Sequence, residues 1–300
     1  MCRFRLAPLF FALFIPLMAW AIDLQPNDIV APPPDKNLIT ISYFNTENST
    51  LYKNGSVGTV PPARLYTNPV IDTQSAILRG ARTYTLGELP AVSYIQLPYG
   101  TVRPAGSLGG LSSDTGIGDL TIATAIWPYA DKVNRTYVGI AGYLISPTGS
   151  YSSQRAFNLS ENRFRTDLQI GFQTSIANSI DGMVAVDTMW FGGNSQCAAA
   201  CGTATNASLL QKPLTTTQLG PIWRINQTFT VGASYFYVAG GATTINSRYL
   251  NNVVNTQRFL LSSQAHTPIG RISLQYGRDM EIKNGFIQTR VLALRLMKDF

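Results

Sequence analysis

Three groups of residues have the types and spacing that chemistry needs. The first is Cys197 and Cys201 in QCAAACG, the two cysteines left after Cys2 near the start. Two thiolates with no histidine nearby are too few for structural zinc, so a short-loop disulfide is the better reading, against two free thiols. The second is Gly116-Ile117-Gly118-Asp119, which looks like the start of a dinucleotide fingerprint. Such a loop must follow a strand and open a helix, whereas this one opens a strand. The glycines read as a loop-to-strand corner. The third is His266, the single histidine and hence the one ordinary candidate for a general base. It stands one residue before a short turn, with no carboxylate pair or metal-ligand cluster beside it in the sequence, and reads as a solvated lumen or rim residue. No metal and no cofactor are expected.

The elements that must position these residues follow from composition and pattern. Charged residues make up 13% of the chain and aromatics 11%, with hydrophobic content at 45%. The charged share is about half that of an ordinary globular protein. Few charges with many Tyr, Phe, Ser, Thr and Gly is what a strand-rich protein with one lipid-facing surface should show. Met1 to Ala21 has Arg3 and Arg5, an apolar run from Leu6 to Met18 and a small-x-small end at Ala19-Trp20-Ala21, the form of a cleaved export signal. The run is shorter than the roughly 20 residues of a spanning helix. Loss of Arg3 and Arg5 takes the formal charge from +7 to +5 with no basic run, which excludes nucleic acid as a partner.

After the signal, residues 22–36 (DLQPNDIVAPPPDK from Asp23) are too rich in proline to form a ladder strand and read as an extended periplasmic segment ahead of the fold. Residues 37–300 then alternate between about twelve candidate strands and their connections. The strands run from Leu38 to Thr46, Ser75 to Thr85, Pro90 to Pro98, Asp119 to Trp127, Thr136 to Ser146, Arg163 to Ile176, Met183 to Phe191, Thr216 to Ile225, Thr228 to Val238, Gln257 to His266, Arg271 to Arg278 and Gln288 to Phe300. Short links alternate with long ones, with a shorter link at Asp279 to Ile287. An even-stranded barrel with both termini in the periplasm predicts that parity, and a sandwich has no reason for it.

Strand faces are clearest where apolar and polar residues alternate. Phe164, Leu168, Ile170 and Phe172 oppose Arg163, Arg165, Asp167 and Gln169; Leu274 and Tyr276 oppose Arg271 and Gln275; Leu261 opposes Arg258 and Gln264. In a membrane barrel these phases face lipid and lumen, since an arginine on the lipid side near the midplane costs roughly 2 to 4 kcal/mol. The expected pore lining is therefore Arg163, Arg165, Asp167, Asp187, Arg224, Arg258, Arg271 and Arg295, with partial pairing of the arginines to Asp167 and Asp187. Between Ser75 and Pro98, Arg79 and Arg82 fall in opposite phases, and the faces stay unassigned. The last stretch, QTRVLALRLMKDF, resembles the closing strand of a bacterial outer-membrane barrel, in which a terminal aromatic, here Phe300, is the assembly signal.

DLQPNDIVAPPP before the first strand, Asp114-Thr115-Gly116-Ile117-Gly118-Asp119 and Ser146-Pro147-Thr148-Gly149-Ser150-Tyr151 add a family likeness. The chain resembles the outer-membrane proteins grouped as the meta-pathway of phenol degradation family, often described as transporters. The resemblance implies an all-β transmembrane antiparallel barrel in the bacterial outer membrane, associated with uptake of small hydrophobic or aromatic solutes. Its expected partners are such a solute, outer-membrane lipid and lipopolysaccharide, and the barrel assembly machinery. The other readings are a non-conducting barrel whose outer loops make surface contacts and an outer-membrane enzyme.

Overall fold

The computed structural model describes residues 23–53, 56–57 and 67–300; the expected export signal lies outside them. Twelve antiparallel strands form the wall: β1 (Asn37–Lys53), β2 (Pro69–Leu86), β3 (Leu89–Gly106), β4 (Leu120–Asp131), β5 (Thr136–Ser146), β6 (Arg165–Ala177), β7 (Ile180–Phe191), β8 (Leu214–Arg224), β9 (Phe229–Gly240), β10 (Val254–Thr267), β11 (Gly270–Ile282) and β12 (Gly285–Asp299). Each pairs with its neighbours in sequence, and β12 returns to β1 through a register from Leu38↔Asp299 to Tyr52↔Gly285. The sheet is thus a closed barrel without free edges. The seam ends on two backbone bonds between Asn37 and Phe300, of 3.0 and 3.1 Å.

All twelve expected strands are present, several of them longer. β2 and β3 reach 18 residues each because their ladder continues beyond the expected ends to Pro69↔Gly106. Loop parity also holds: the tight turns, such as Gly87-Glu88 with Gly87 at φ 61°, lie at one mouth together with the last residues of β12. The longer connections lie at the other mouth. There a four-stranded sheet forms from Asn194–Cys197, Ala207–Gln211, Thr243–Ile245 and Arg248–Tyr249.

Side-chain phase decides the two surfaces. Leu168, Leu261 and Leu294 are 46%, 49% and 46% exposed on the outer wall, whereas Arg165, Asp167 and Arg295 are buried inside it. A surface carrying this many exposed Leu, Ile and Tyr side chains is one that faces lipid. Arg79 faces inward and Arg82 outward, close to the tight-turn mouth, where Arg82 meets Asp35. The ladder between β8 and β9 is interrupted, with its register unchanged, between Leu219↔Tyr235 and Ile222↔Gly232. Pro221 lacks an N–H to donate there. Gly220 lies so close to β9 that a Cβ there would collide with the Ala233 carbonyl oxygen.

The proline-rich segment is not ahead of the barrel but inside it. Ile29 and Ala31 are buried with Trp127, Tyr137, Met183 and Ile222 in one apolar cluster within the lumen. Proline excludes residues 32–34 from a ladder, as expected, but leaves the polar residues before them free to bond the inner wall, and that is where they go.

Candidate functional site: an occupied lumen

The N-terminal segment is held along the inner wall by matched polar groups. Leu24 N donates to the Gln218 side chain (3.0 Å), Gln25 Nε2 to Gln275 (2.9 Å) and Asn27 Nδ2 to Gln264 (3.0 Å). Trp127 Nε1 donates to the Ile29 carbonyl at 2.7 Å. The Asp28 carboxylate takes Arg295 Nη1 at 3.1 Å and lies 3.6 Å from Arg271 Nη2. Burial works to raise the Asp28 pKa, but Arg295, Arg271 and the Gln25 N–H outweigh it and hold the group below its usual value. Asp23 reaches further from the tight-turn mouth, to 3.8 Å from Arg258, whose Nε donates to Asp279 (2.9 Å). Beside this segment is a cavity of about 1060 Å³, lined among others by Asp28, Arg79, Tyr94, Trp127, Arg271 and Arg295. Arg79 lies over the Tyr94 ring at 4.3 Å.

The long-loop half of the lumen is filled separately. The connection between β5 and β6 turns inward and buries Phe157 and Leu159 against Ile71, Val102, Leu108 and Phe286. Two carboxylates in the DTGIGD motif hold it there. Asp114 accepts from Arg155, from Ser150 Oγ (2.7 Å) and from Leu159 N (2.9 Å). Asp119 accepts from Gly149 N (3.2 Å) and from Arg165 Nη2 (3.1 Å). Glu161 completes the clamp with Arg163 and with Arg165 Nη1 at 2.8 Å. Burial pushes the Glu161 pKa up, and the two guanidiniums more than reverse it, leaving the group below its usual value of 4.5. Gly149 sits on Gly118, where a Cβ would come within 2.6 Å of the Gly118 carbonyl carbon. At Gly118 a Cβ would instead meet Pro98 Cγ at 2.8 Å, so the glycine of each motif has its own close neighbour.

The eight residues read as pore lining all lie on the inner side of the wall or at its rim. Arg163 and Arg165 belong to the loop clamp. Asp167 and Asp187 lie deeper, 3% and 5% exposed, on adjacent strands. Arg258, Arg271 and Arg295 bind the N-terminal segment, while Arg224 sits at the tight-turn rim with Arg135 on Asp181. The expected pairing to Asp167 and Asp187 does not form. Both Asp167 oxygens lack a hydrogen-bond partner among the described residues, because the arginines are engaged by Asp23, Asp28, Asp119, Glu161, Asp181 and Asp279. Cys197 and Cys201 are bonded (S–S 2.03 Å) in the loop between β7 and β8, where they pack on Ala207, Leu209 and Ile245. His266 is exposed on the wall of the lower cavity.

Sequence reasoning missed Asp28, Arg79, Asp114, Asp119 and Glu161 as lumen groups. The two aspartates had a signal, since they bracket the glycine motif. Asp28 had none, because the N-terminal segment has no periodicity to show which way it points.

Fold and site together define a transmembrane β-barrel whose lumen is occupied at both ends by its own chain. Residues 49–296 match the family described as "Putative MetA-pathway of phenol degradation", and the chain belongs to that family. Among solved structures, the COG4313 outer membrane channel from Pseudomonas putida F1 is similar at 23% identity, covering 93% of this chain and 100% of that one with a TM-score of 0.85. The translocator domain of autotransporter NalP from Neisseria meningitidis is 9% identical over 91% of each chain with a TM-score of 0.49. The CymD monoaromatic hydrocarbon channel is 12% identical over 90% of this chain and 89% of that one, at 0.43. Comparison with curated proteins gives no match.

Proposed function

We propose that the protein is an outer-membrane channel for passive uptake of small hydrophobic or aromatic compounds, with the long-loop mouth outward. The observation that carries this reading is the pair of apolar clusters, one around Phe157 near the outer mouth and one around Ile29 and Trp127 toward the inner mouth. A wide aqueous pore would have no use for them, whereas an apolar solute finds a favourable surface at each level. The cavity of about 1060 Å³ beside the inner cluster is large enough for a small aromatic compound. Phe300 would serve the barrel assembly machinery, and Arg163, Arg165, Arg258, Arg271 and Arg295 would hold the occluding segments rather than touch the solute.

The same occlusion favours a second reading, a non-conducting barrel whose outer loops, braced by the Cys197–Cys201 bond, make surface contacts. Flux separates the two. Liposomes carrying the purified barrel should take up a small aromatic compound faster than protein-free liposomes and should discriminate against a sugar of similar size. Equal rates with and without protein would sink the channel reading.

A further inference from the structure

The outer wall carries charge in one sector. On the full-length strands β5 to β9 the outward positions hold no Asp, Glu, Lys or Arg. On β12, β1, β2 and β3, by contrast, a register row runs Arg290↔Glu47, Glu47↔Asp72 and Asp72↔Arg103. Arg278 stands on β11 one residue beyond the Gly277↔Val291 pair and thus beside Arg290. Arg103 and Arg278 are exposed. Arg290 lies 3.5 Å from Glu47 with its side chain 42% exposed, and Arg103 makes no ion pair among the described residues.

The depth of the row identifies what it faces. On the tight-turn side of it the same strands present Tyr43, Leu78, Tyr99, Leu274, Leu292 and Leu294, all exposed. From Ile39 to Glu47, at ~3.3 Å per residue and a tilt near 40°, the wall rises by about 20 Å, close to the roughly 25 Å of an apolar band. The row therefore sits at the long-loop edge of that band, where lipid headgroups lie. A dry face below it and a headgroup layer beside it leave a membrane lipid as the occupant.

We infer that this row is a docking surface for a headgroup with a phosphate at each end of a disaccharide, the chemistry of lipopolysaccharide in the outer leaflet. Guanidinium forks suit phosphate oxygens. Arg278 and Arg290 form one arm and Arg103 the other, with Glu47 and Asp72 between. Three strand spacings separate the arms by ~14 Å. The interposed carboxylates repel an anion placed centrally, so two separated phosphates fit the row better than one. The inference rests on the orientation given under the proposed function.

The test uses purified full-length barrel in detergent with native mass spectrometry as readout. The probes are intact lipopolysaccharide, its dephosphorylated form and phosphatidylglycerol. Arg103→Gln with Arg278→Gln and Arg290→Gln should retain intact lipopolysaccharide about tenfold less well, and dephosphorylation should cause a similar loss on the unaltered protein. Heat-modifiable mobility checks folding, and Arg103→Gln alone, which breaks no ion pair of the fold, should still lower retention several-fold. Unchanged retention in both variants, equal binding of the dephosphorylated form, or equal competition by phosphatidylglycerol would overturn the inference. Solute flux through the variants should match the unaltered barrel. Loss of retention with intact flux isolates the headgroup surface, whereas absent flux in the unaltered protein sinks the channel reading alone.

Discussion

Replacing Asp28 by asparagine removes one charge from the N-terminal segment while keeping the side-chain shape and an acceptor oxygen. In the native lumen that carboxylate receives Arg295 at 3.1 Å and Gln25 N at 2.9 Å, with Arg271 at 3.6 Å. A hydrogen bond to a charged partner contributes about 1.5 to 3 kcal/mol and a neutral one about 0.5 to 1.5. The substitution should therefore weaken docking by about 1 to 2 kcal/mol, which raises the undocked population roughly 5- to 30-fold. Arg295 and Arg271 would then lack a counter-charge, and the freed lumen should favour anions. Planar-bilayer recording should show more frequent or longer open events with an anion bias. Deletion of residues 23–33 should show the same change in larger measure. Amide exchange of Gln25 to Ala31 should quicken by the same factor. If Asp28→Asn leaves both conductance and exchange unchanged, Asp28 does not hold the segment in the lumen.

Phe300→Ala should reduce folded, heat-modifiable barrel in the outer membrane without altering cleavage after Ala21; normal assembly of that variant would remove Phe300 as a signal. Cysteines placed singly at 165, 258 and 295 should react with small water-soluble reagents and resist lipid-phase quenchers, whereas those at 168, 261 and 294 should do the reverse. Glu161 has a folded pKa below 4.5, so its clamp is complete above that value and weakens as pH falls through the lower folded value. Limited proteolysis of residues 150–161 should accelerate only in that acid range, and Glu161→Gln should show the acid-range susceptibility already at neutral pH. Unfolded, unreduced protein should show no maleimide-reactive thiol at Cys197 or Cys201; labelling of both would mean that the bond is absent in the isolated protein.

The barrel wall was legible because a strand that faces lipid on one side and a filled lumen on the other must alternate, and alternation survives in the residue order. Leu261 against Arg258 and Leu274 against Arg271 each announce their side. The stretch around Arg79 and Arg82 did not, because Arg82 sits near the tight-turn mouth, where an outward charge meets the interfacial region instead of hydrocarbon and costs little. The contents of the lumen were illegible for a different reason. Residues 23–36 and 150–161 follow no regular period, so their direction is set by partners far along the chain: Gln25 by Gln275, Asn27 by Gln264, Arg155 and Leu159 by Asp114. The loss of the expected pairing at Asp167 has the same origin, since nothing in the order of residues told that Asp28 would compete for Arg295.

The N-terminal segment is made before the wall but finds its partners last. Its bonds to Gln218, Gln264, Gln275 and Arg295 span separations of 194, 237, 250 and 267 residues. Three of those residues belong to the last three strands. No half-built wall can offer the complete set, and each bond closes a loop of 194 residues or more. Docking is thus a late event that requires a circumference already shut, and a barrel missing its final strand would keep a lumen open to water. In this chain the closure of the seam at Asn37 and Phe300 comes before the permeability of the finished protein is set.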